Sequence, residues 1–523
     1  MSQPALEITP ELADLGLMGE RFSATSVEPY EARSSKATLL ILSCAVALSG
    51  LSWLADGLPA LTDMAIVIVT AICLLEIVRE LRNFTRRYGM GALTFYAGCL
   101  SWYSIDYITY WFQADYTATV FPAWVVAKQA CLYCLLVWGT TMGLNVQRGD
   151  RMAQRLLRLI PEMPSNNAFL GLTLLMSIVG VMPYFFFVSE PFYVAILKDM
   201  FNLRSETGAS WTIARTGNAN TSFGAYILMV PKLGQLSAIM AVLYAVWITR
   251  SVPARILCGA IFVFWFMLAF GTGTRGAIIY LMIPSMAFVF LRYHAQTASL
   301  LRRFSLRAYV TVGLLGLVTL VVVQFQGTFR GQEFTRTSWR QVDLAGNSSD
   351  NGMFSSGLRA VQLVPSQQHF FANAFPGAGI AQMAVREPYL LAISPIPRAL
   401  WPNKPLDDSV AWYNGAYGGD SASVEGTTIA PGITAGIYMC YGLPASAVFA
   451  IFYGWLLGLT ERSLRMSFDQ PMHIVFVMAT FAIFFATFRS WQPIHFVTLA
   501  LPVVGYCVLA WPLCWFLPKK QQV

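Results

Sequence analysis

Four cations in this chain stand among apolar residues or on backbone stiffened by Gly and Pro. Arg275 sits in Gly271-Thr272-Gly273-Thr274-Arg275-Gly276, and Arg489 follows a long apolar run. Arg398 and Lys404 lie in Ile396-Pro397-Arg398-Ala399-Leu400-Trp401-Pro402-Asn403-Lys404-Pro405. The prolines Pro397, Pro402 and Pro405 restrict that string, so its cations lose little entropy on binding. A guanidinium in such surroundings needs a partner, and its planar fork of donors matches phosphate oxygens. The glycine string fits GxGxxG by letters alone. A dinucleotide fingerprint needs a strand before it and a helix after it in a βαβ unit, whereas this string joins two apolar runs. Arg336, Arg340, Arg359 and Arg386 lie in a polar stretch and read as solvated surface.

Other chemistries find little material. HExxH, Walker and spaced DxD strings are absent, and Asp407-Asp408 are adjacent rather than spaced for one metal face. Cys131 and Cys134 form a CxxC, but all nine cysteines fall in apolar runs, where small buried thiols are common. No metal, cofactor or disulfide is expected.

The elements that must position these residues follow from composition. Of 523 residues, 12% are charged, 56% hydrophobic and 14% aromatic, and the mean hydropathy is +0.55. A soluble domain carries about 25% charged residues, so an ordinary soluble enzyme is excluded. Disorder is excluded too, because a disordered chain lacks such apolar content. The formal charge of +8 does not point to nucleic acid while its distribution across a membrane is open. The fold class expected is an all-α polytopic membrane protein.

A spanning helix needs about 20 largely apolar residues, and about twelve stretches qualify. They run near 37–55, 58–78, 90–112, 120–144, 167–188, 223–248, 256–270, 277–291, 309–323, 433–459, 472–488 and 494–517. The seventh and eighth are short enough to be tilted or partly re-entrant. Lys and Arg beside short connections set the orientation. Placing the N-terminus in the cytoplasm gathers Arg79, Arg82, Arg86 and Arg87 on that side, with Arg148, Arg151, Arg155 and Arg158. Arg292, Arg302, Arg303 and Arg307 join them, as do Arg250, Arg255, Arg462, Arg465, Lys519 and Lys520. The short outer connections then carry Arg275 and Arg489.

The organisation expected is a flexible cytoplasmic tail over 1–36 without an apolar signal region, then helices 1–9 over 37–323. An outer insertion interrupts these at 189–222. A large outer loop follows over 324–432, and helices 10–12 with a short tail complete the chain over 433–523. A loop of that length without its own role is uncommon. Asp63, Asp106, Lys128 and Lys232 fall five to nine residues inside the outer ends of their spans, roughly 8–14 Å deep. Charge at that depth is costly unless it faces a cavity or another charge. The expectation is a wet vestibule open to the outer face, with Asp106 and Lys128 as a pair.

After the proline-rich string come Thr427-Thr428-Ile429-Ala430-Pro431-Gly432 and then Tyr438, Tyr441 and Gly442. Together these stretches resemble the bacterial O-antigen and oligosaccharide repeat-unit polymerases of the Wzy type. Members of that family carry about a dozen spans and a large late periplasmic loop. The resemblance lies in Pro397-Arg398, Trp401-Pro402, Lys404-Pro405, Pro431-Gly432, Tyr438 to Gly442 and the step Gly273 to Gly276. It covers about Ile256 to Leu459; the first 160 residues match by architecture. Many relatives carry Glu two residues before the tyrosine, where this chain has Gly436.

The resemblance implies a glycosyltransferase of the inner membrane, acting at its periplasmic face on polyprenyl-pyrophosphate-linked oligosaccharide repeat units. Arg275, Arg398, Lys404 and Arg489 become the pyrophosphate-binding set. On the expected outer side, Glu425, then His369, with Asp420 and His495, are the candidates for the base that takes a proton from the attacking sugar hydroxyl. Chain-length-regulator and flippase proteins are implied partners beside the bilayer, and nucleic acid is not. An O-antigen ligase is the alternative within the same chemistry. A lipid-linked oligosaccharide flippase or transporter is the non-enzymatic one, although such proteins place their charges near the midplane between repeated halves.

Overall fold

The structure is a computed structural model. It describes residues 35–82, 89–108, 121–146, 150–161, 165–186, 191–201, 230–271, 278, 280–288, 354, 357–358, 361–362, 396, 401, 432–465, 471–487 and 502–512. Over these residues the chain is all-helical.

The helices are α1 (Lys36–Leu54), α2 (Pro59–Arg82), α3 (Met90–Cys99), α4 (Ala123–Leu144), α5 (Asp150–Leu157) and α6 (Asn166–Phe186). They continue with α7 (Phe192–Phe201), α8 (Val230–Leu243), α9 (Val252–Gly271), α10 (Gly432–Arg465), α11 (Pro471–Thr487) and α12 (Pro502–Pro512). Two single π-turns, Leu100–Ser104 and Tyr244–Ile248, extend α3 and α8. Seven of the helical stretches are long and apolar enough to cross a membrane: Lys36–Leu54, Pro59–Leu81, Ala123–Leu144, Asn166–Phe185, Val230–Ile248, Val252–Gly271 and Gly442–Leu464. The chain is therefore a multi-pass membrane protein. Its outer surface agrees: Val67, Ile256 and Val448 are exposed by 66%, 68% and 69%, which only a hydrocarbon solvent favours.

Two expected spans take a different form. The stretch expected at 256–270 is a full helix from Val252, because Pro253 sits in the first turn, where its missing N–H breaks no helical bond. It has the length to cross. The span expected at 433–459 is broken at Gly442, whose φ of 79° and ψ of −179° belong to glycine almost alone, with Pro444 close behind. The crossing piece starts at Gly442, and Gly432 to Tyr441 form a separate short helix before it.

Packing divides the bundle into two apolar clusters. One joins α1 to α4, α10 and the buried residues Phe354, Leu358 and Val361. The other joins α6 to α9, α11, α12 and 280–288, and α11 touches both through α3, α8 and α10. The closest crossing is α4 on α10. A Cβ on Gly143 would lie 2.0 Å from the Ile451 carbonyl oxygen, and one on Gly454 would lie 2.1 Å from the Thr140 carbonyl oxygen. Small residues four apart let two backbones approach where no hydrophobic effect drives helices together.

The crossings give the first cluster two distinct ends. Trp53, Asp63, Tyr107, Trp124, Lys128, Thr434 and Tyr438 share one, through contacts described below. Met90, Leu144 and Glu461 share the other, where Glu461 Oε1 accepts from the backbone N–H of Ala92 at 2.8 Å and Arg462 donates to the Val146 carbonyl at 2.9 Å. Glu461 thus serves as an anionic cap on the first turn of α3.

Candidate functional site

Lys128 stands one and a half turns into α4 and is 5% exposed. Its ammonium lies 4.5 Å from the ring centre of Tyr438, 5.3 Å from Trp53 and 5.8 Å from Trp124. Each ring arrives on a different kind of element: Trp53 in the last turn of α1, Trp124 in the first turn of α4 and Tyr438 in the short helix before the α10 kink. Among the described residues the Lys128 charge therefore meets π faces and no carboxylate, and the expected Asp106–Lys128 pair does not form. The reason is tertiary. The ends of α1 and α10 bring Trp53 and Tyr438 to the ammonium, Trp124 joins them from α4 itself, and cation–π attraction is strongest where water is excluded.

Beside the ring box runs a buried polar line. Gln129 Nε2 donates to Thr434 Oγ1 at 3.1 Å, and that hydroxyl reaches the Tyr103 hydroxyl at 3.4 Å. The Tyr103 ring stacks on Tyr133 at 5.0 Å and 7°. Ser104 Oγ lies 3.0 Å from the Tyr133 hydroxyl, and Thr70 lies 2.8 Å from Ser104. Tyr103 and Ser104 both belong to the π-turn that extends α3, so two successive residues reach Tyr133, one by its ring and one by its hydroxyl. Tyr107, one turn further, donates its hydroxyl to Asp63 Oδ1. That pair closes one end of a groove of about 550 Å³ on the flank of α2 and α3, lined by Ile66, Val67, Leu74 and Ile108.

The segment that sequence reading assigned to the large loop reaches this patch. Phe354 packs edge-on against Tyr107 at 4.9 Å, and Phe354, Leu358 and Val361 are fully buried in the first cluster. Gly357 lies so close over Gln129 that a Cβ there would come within 2.2 Å of Nε2. The buried positions 354, 357, 358 and 361 follow the spacing of one helix face. That period is present in the sequence and marks a helix; its docking partner is not encoded locally. The π-turn carries no such signal, and of the ring box only Trp124, at i,i+4 to Lys128, does.

The vestibule residues are not brought to one place. Asp63 belongs to the patch through Tyr107, and Asp106 stands half-buried immediately before Tyr107, past the π-turn that extends α3. Lys232 lies in the second half of the bundle, on α8, where it donates to Gln235 at 3.0 Å. Arg275, Arg398, Lys404 and Arg489 lie outside the described residues, as do Glu425, His369, Asp420 and His495. Among the described residues no three His, Cys, Asp or Glu side chains gather to hold a metal ion. What the patch offers is one fixed cation, aromatic faces and a chain of hydroxyls and an amide under an apolar cover. Such groups bind and orient a polar ligand. No family model, no curated protein and no solved structure matches this chain.

Proposed function

We propose that this chain is a glycosyltransferase with twelve spans in the bacterial inner membrane, polymerising polyprenyl-pyrophosphate-linked oligosaccharide repeat units at the periplasmic face. The observation that carries the reading is the seating of Phe354, Gly357, Leu358 and Val361 on α3, α4 and α10, around Gln129 and Tyr107. The long segment 324–432 is thereby tied to the bundle at the end that holds Lys128. A reaction between two membrane-anchored lipids requires such a cover, because the anomeric carbon and the attacking hydroxyl both lie just above the bilayer and water must be kept from the donor. The strings Pro397-Arg398, Trp401-Pro402, Lys404-Pro405 and Pro431-Gly432 follow this seat in sequence and resemble those of the repeat-unit polymerases.

The chemistry follows from the substrate class. A hydroxyl of the acceptor repeat unit attacks the anomeric carbon of the growing glycan, and a C–O bond forms there. The bond from that carbon to the pyrophosphate oxygen breaks, its electron pair leaves with polyprenyl pyrophosphate, and the hydroxyl proton passes to a base. Glu425 is our first choice for the base, ahead of His369 and Asp420. Charge grows on the pyrophosphate as it departs. Arg275, Arg398 and Arg489, with Lys404, stabilise that charge more in the transition state than in the ground state. The reaction needs no covalent nucleophile.

A deletion strain separates the readings by the glycan it leaves. A lost polymerase leaves single repeat units on the final acceptor. A lost ligase leaves finished chains on the carrier lipid, and a lost flippase leaves single units trapped on the cytoplasmic side.

A further inference from the structure

Among the described residues, the connection between α4 and α6 carries the short helix whose polar and apolar faces are most strongly separated. In α5 and the turn after it, Ala153, Leu157 and Ile160 are buried, and Leu157 and Ile160 join the second apolar cluster. Its end is pinned further by α12: the Tyr506 hydroxyl donates to the Pro161 carbonyl at 3.0 Å. The orientation of the helix about its own axis is therefore fixed. At 100° per residue the opposite arc carries Arg151, Arg155 and Arg158 on one flank and Met152, Leu156 and Leu159 on the other. All six are exposed, Leu159 by 69%. A shallow groove of about 620 Å³ lies along this arc, lined by both kinds of residue.

Neither flank suits water or a protein core. The apolar side chains lie at the level where α4 ends and α6 begins, so bulk solvent would meet three bare aliphatic groups. Among the described residues the three guanidinium groups have no ion pair. The end of the bundle is the one that holds Arg462 and Val146, where basic residues of the short connections collect. Positive forks beside apolar side chains, in the plane of a bilayer surface, complement one ligand: a phosphodiester headgroup with its acyl chains attached.

We infer that α5 is an interfacial helix that binds anionic phospholipid, with Arg151, Arg155 and Arg158 on the headgroup phosphate and Met152, Leu156 and Leu159 among the acyl chains. The site is independent of the glycosyl-transfer reading, because it lies at the opposite end of the bundle from Lys128. Its role is to seat the bundle in an anionic leaflet and hold its depth.

The experiment uses the full chain purified in mild detergent and mixed with phosphatidylglycerol or phosphatidylcholine, with lipid retention read by native mass spectrometry. A surface cation contributes about five-fold to binding an anionic bilayer, so three give on the order of 100-fold at low salt. The expected result is at least a ten-fold preference for phosphatidylglycerol. It is lost in Arg151→Gln/Arg155→Gln/Arg158→Gln, falls with salt and is not blocked by equimolar inorganic phosphate. The single variant Arg155→Gln, expected to lose about five-fold, serves if the triple variant does not fold. Equal retention of the two lipids by the unaltered chain would overturn the inference. So would an unchanged preference in the folded variant, or its complete block by inorganic phosphate, which would mark a free-phosphate site.

Discussion

Lys128 carries a charge into a helix interior and is met there by three rings instead of an acid. Two effects oppose each other at this position. Removing the ammonium forfeits cation–π attraction of about 2 kcal/mol, but it also removes the cost of keeping that charge from water. Since no described carboxylate is left unpaired, Lys128→Met is expected to move stability by no more than about 1 kcal/mol. Lys128→Glu puts an anion against three negative ring faces with no counter-charge and is expected to cost about 3–5 kcal/mol. Thermal unfolding of the solubilised protein distinguishes the two; equal loss in both variants would mean that the ring box is not what holds the side chain. Gly357 gives a second test at this scale. Gly357→Val drives a branched side chain into the Gln129 amide and should lift the 354–361 segment from the bundle. The measurement is protease sensitivity of that segment, which should rise while the α4–α10 pair stays protected.

At the scale of elements the α4–α10 crossing decides stability. The atoms facing Gly143 and Gly454 are backbone and cannot rotate away, so Gly143→Leu is expected to cost at least about 2 kcal/mol through overpacking. Gly259 on α9 is the control: a Cβ there meets nothing within 4 Å, and Gly259→Ala should gain about 0.5–1 kcal/mol of helix stability. Unfolding midpoints of both variants check the pair, and similar losses would reject the close-crossing account. The seven crossing helices among the described residues are legible in the sequence, because about twenty apolar residues in a row have few other solutions, whereas the short helices α5 and α7 are not. What was not legible was local geometry that depends on a neighbour. The break at Gly442 was written as Gly-Leu-Pro, yet the apolar run through it read as one span. The four arginines after α4 read as a charge count, and their alternation with Ala153, Leu157 and Ile160, which makes α5 amphipathic, takes its meaning only where the helix docks on the second cluster. The cost of a charge at Lys128 is legible, and the i,i+4 spacing within α4 pairs it with Trp124; its other two rings, Trp53 and Tyr438, come from α1 and α10, and nothing local names them.

At the scale of the whole molecule, the cluster at the Lys128 end and the basic helix at the other give the bundle a direction across the membrane. The proposed clamp of Arg275, Arg398, Arg489 and Lys404 draws on three stretches of chain that the proposed twelve-span topology would put at one level. If they share one pyrophosphate, loss of one guanidinium should cost about 10²–10³ in rate, and Arg398→Lys should recover only part, because a point charge does not reproduce the bidentate fork. Polymer yield in strains carrying each variant reads this directly, and normal polymer from Arg398→Ala would remove that residue from the mechanism. The central claim is polymerisation itself, and the most direct measurement is the length distribution of surface glycan in a strain lacking this protein. The account predicts final acceptors carrying single repeat units, with long chains restored by the unaltered chain and not by Arg398→Ala. Finished long chains accumulating on the carrier lipid would contradict it.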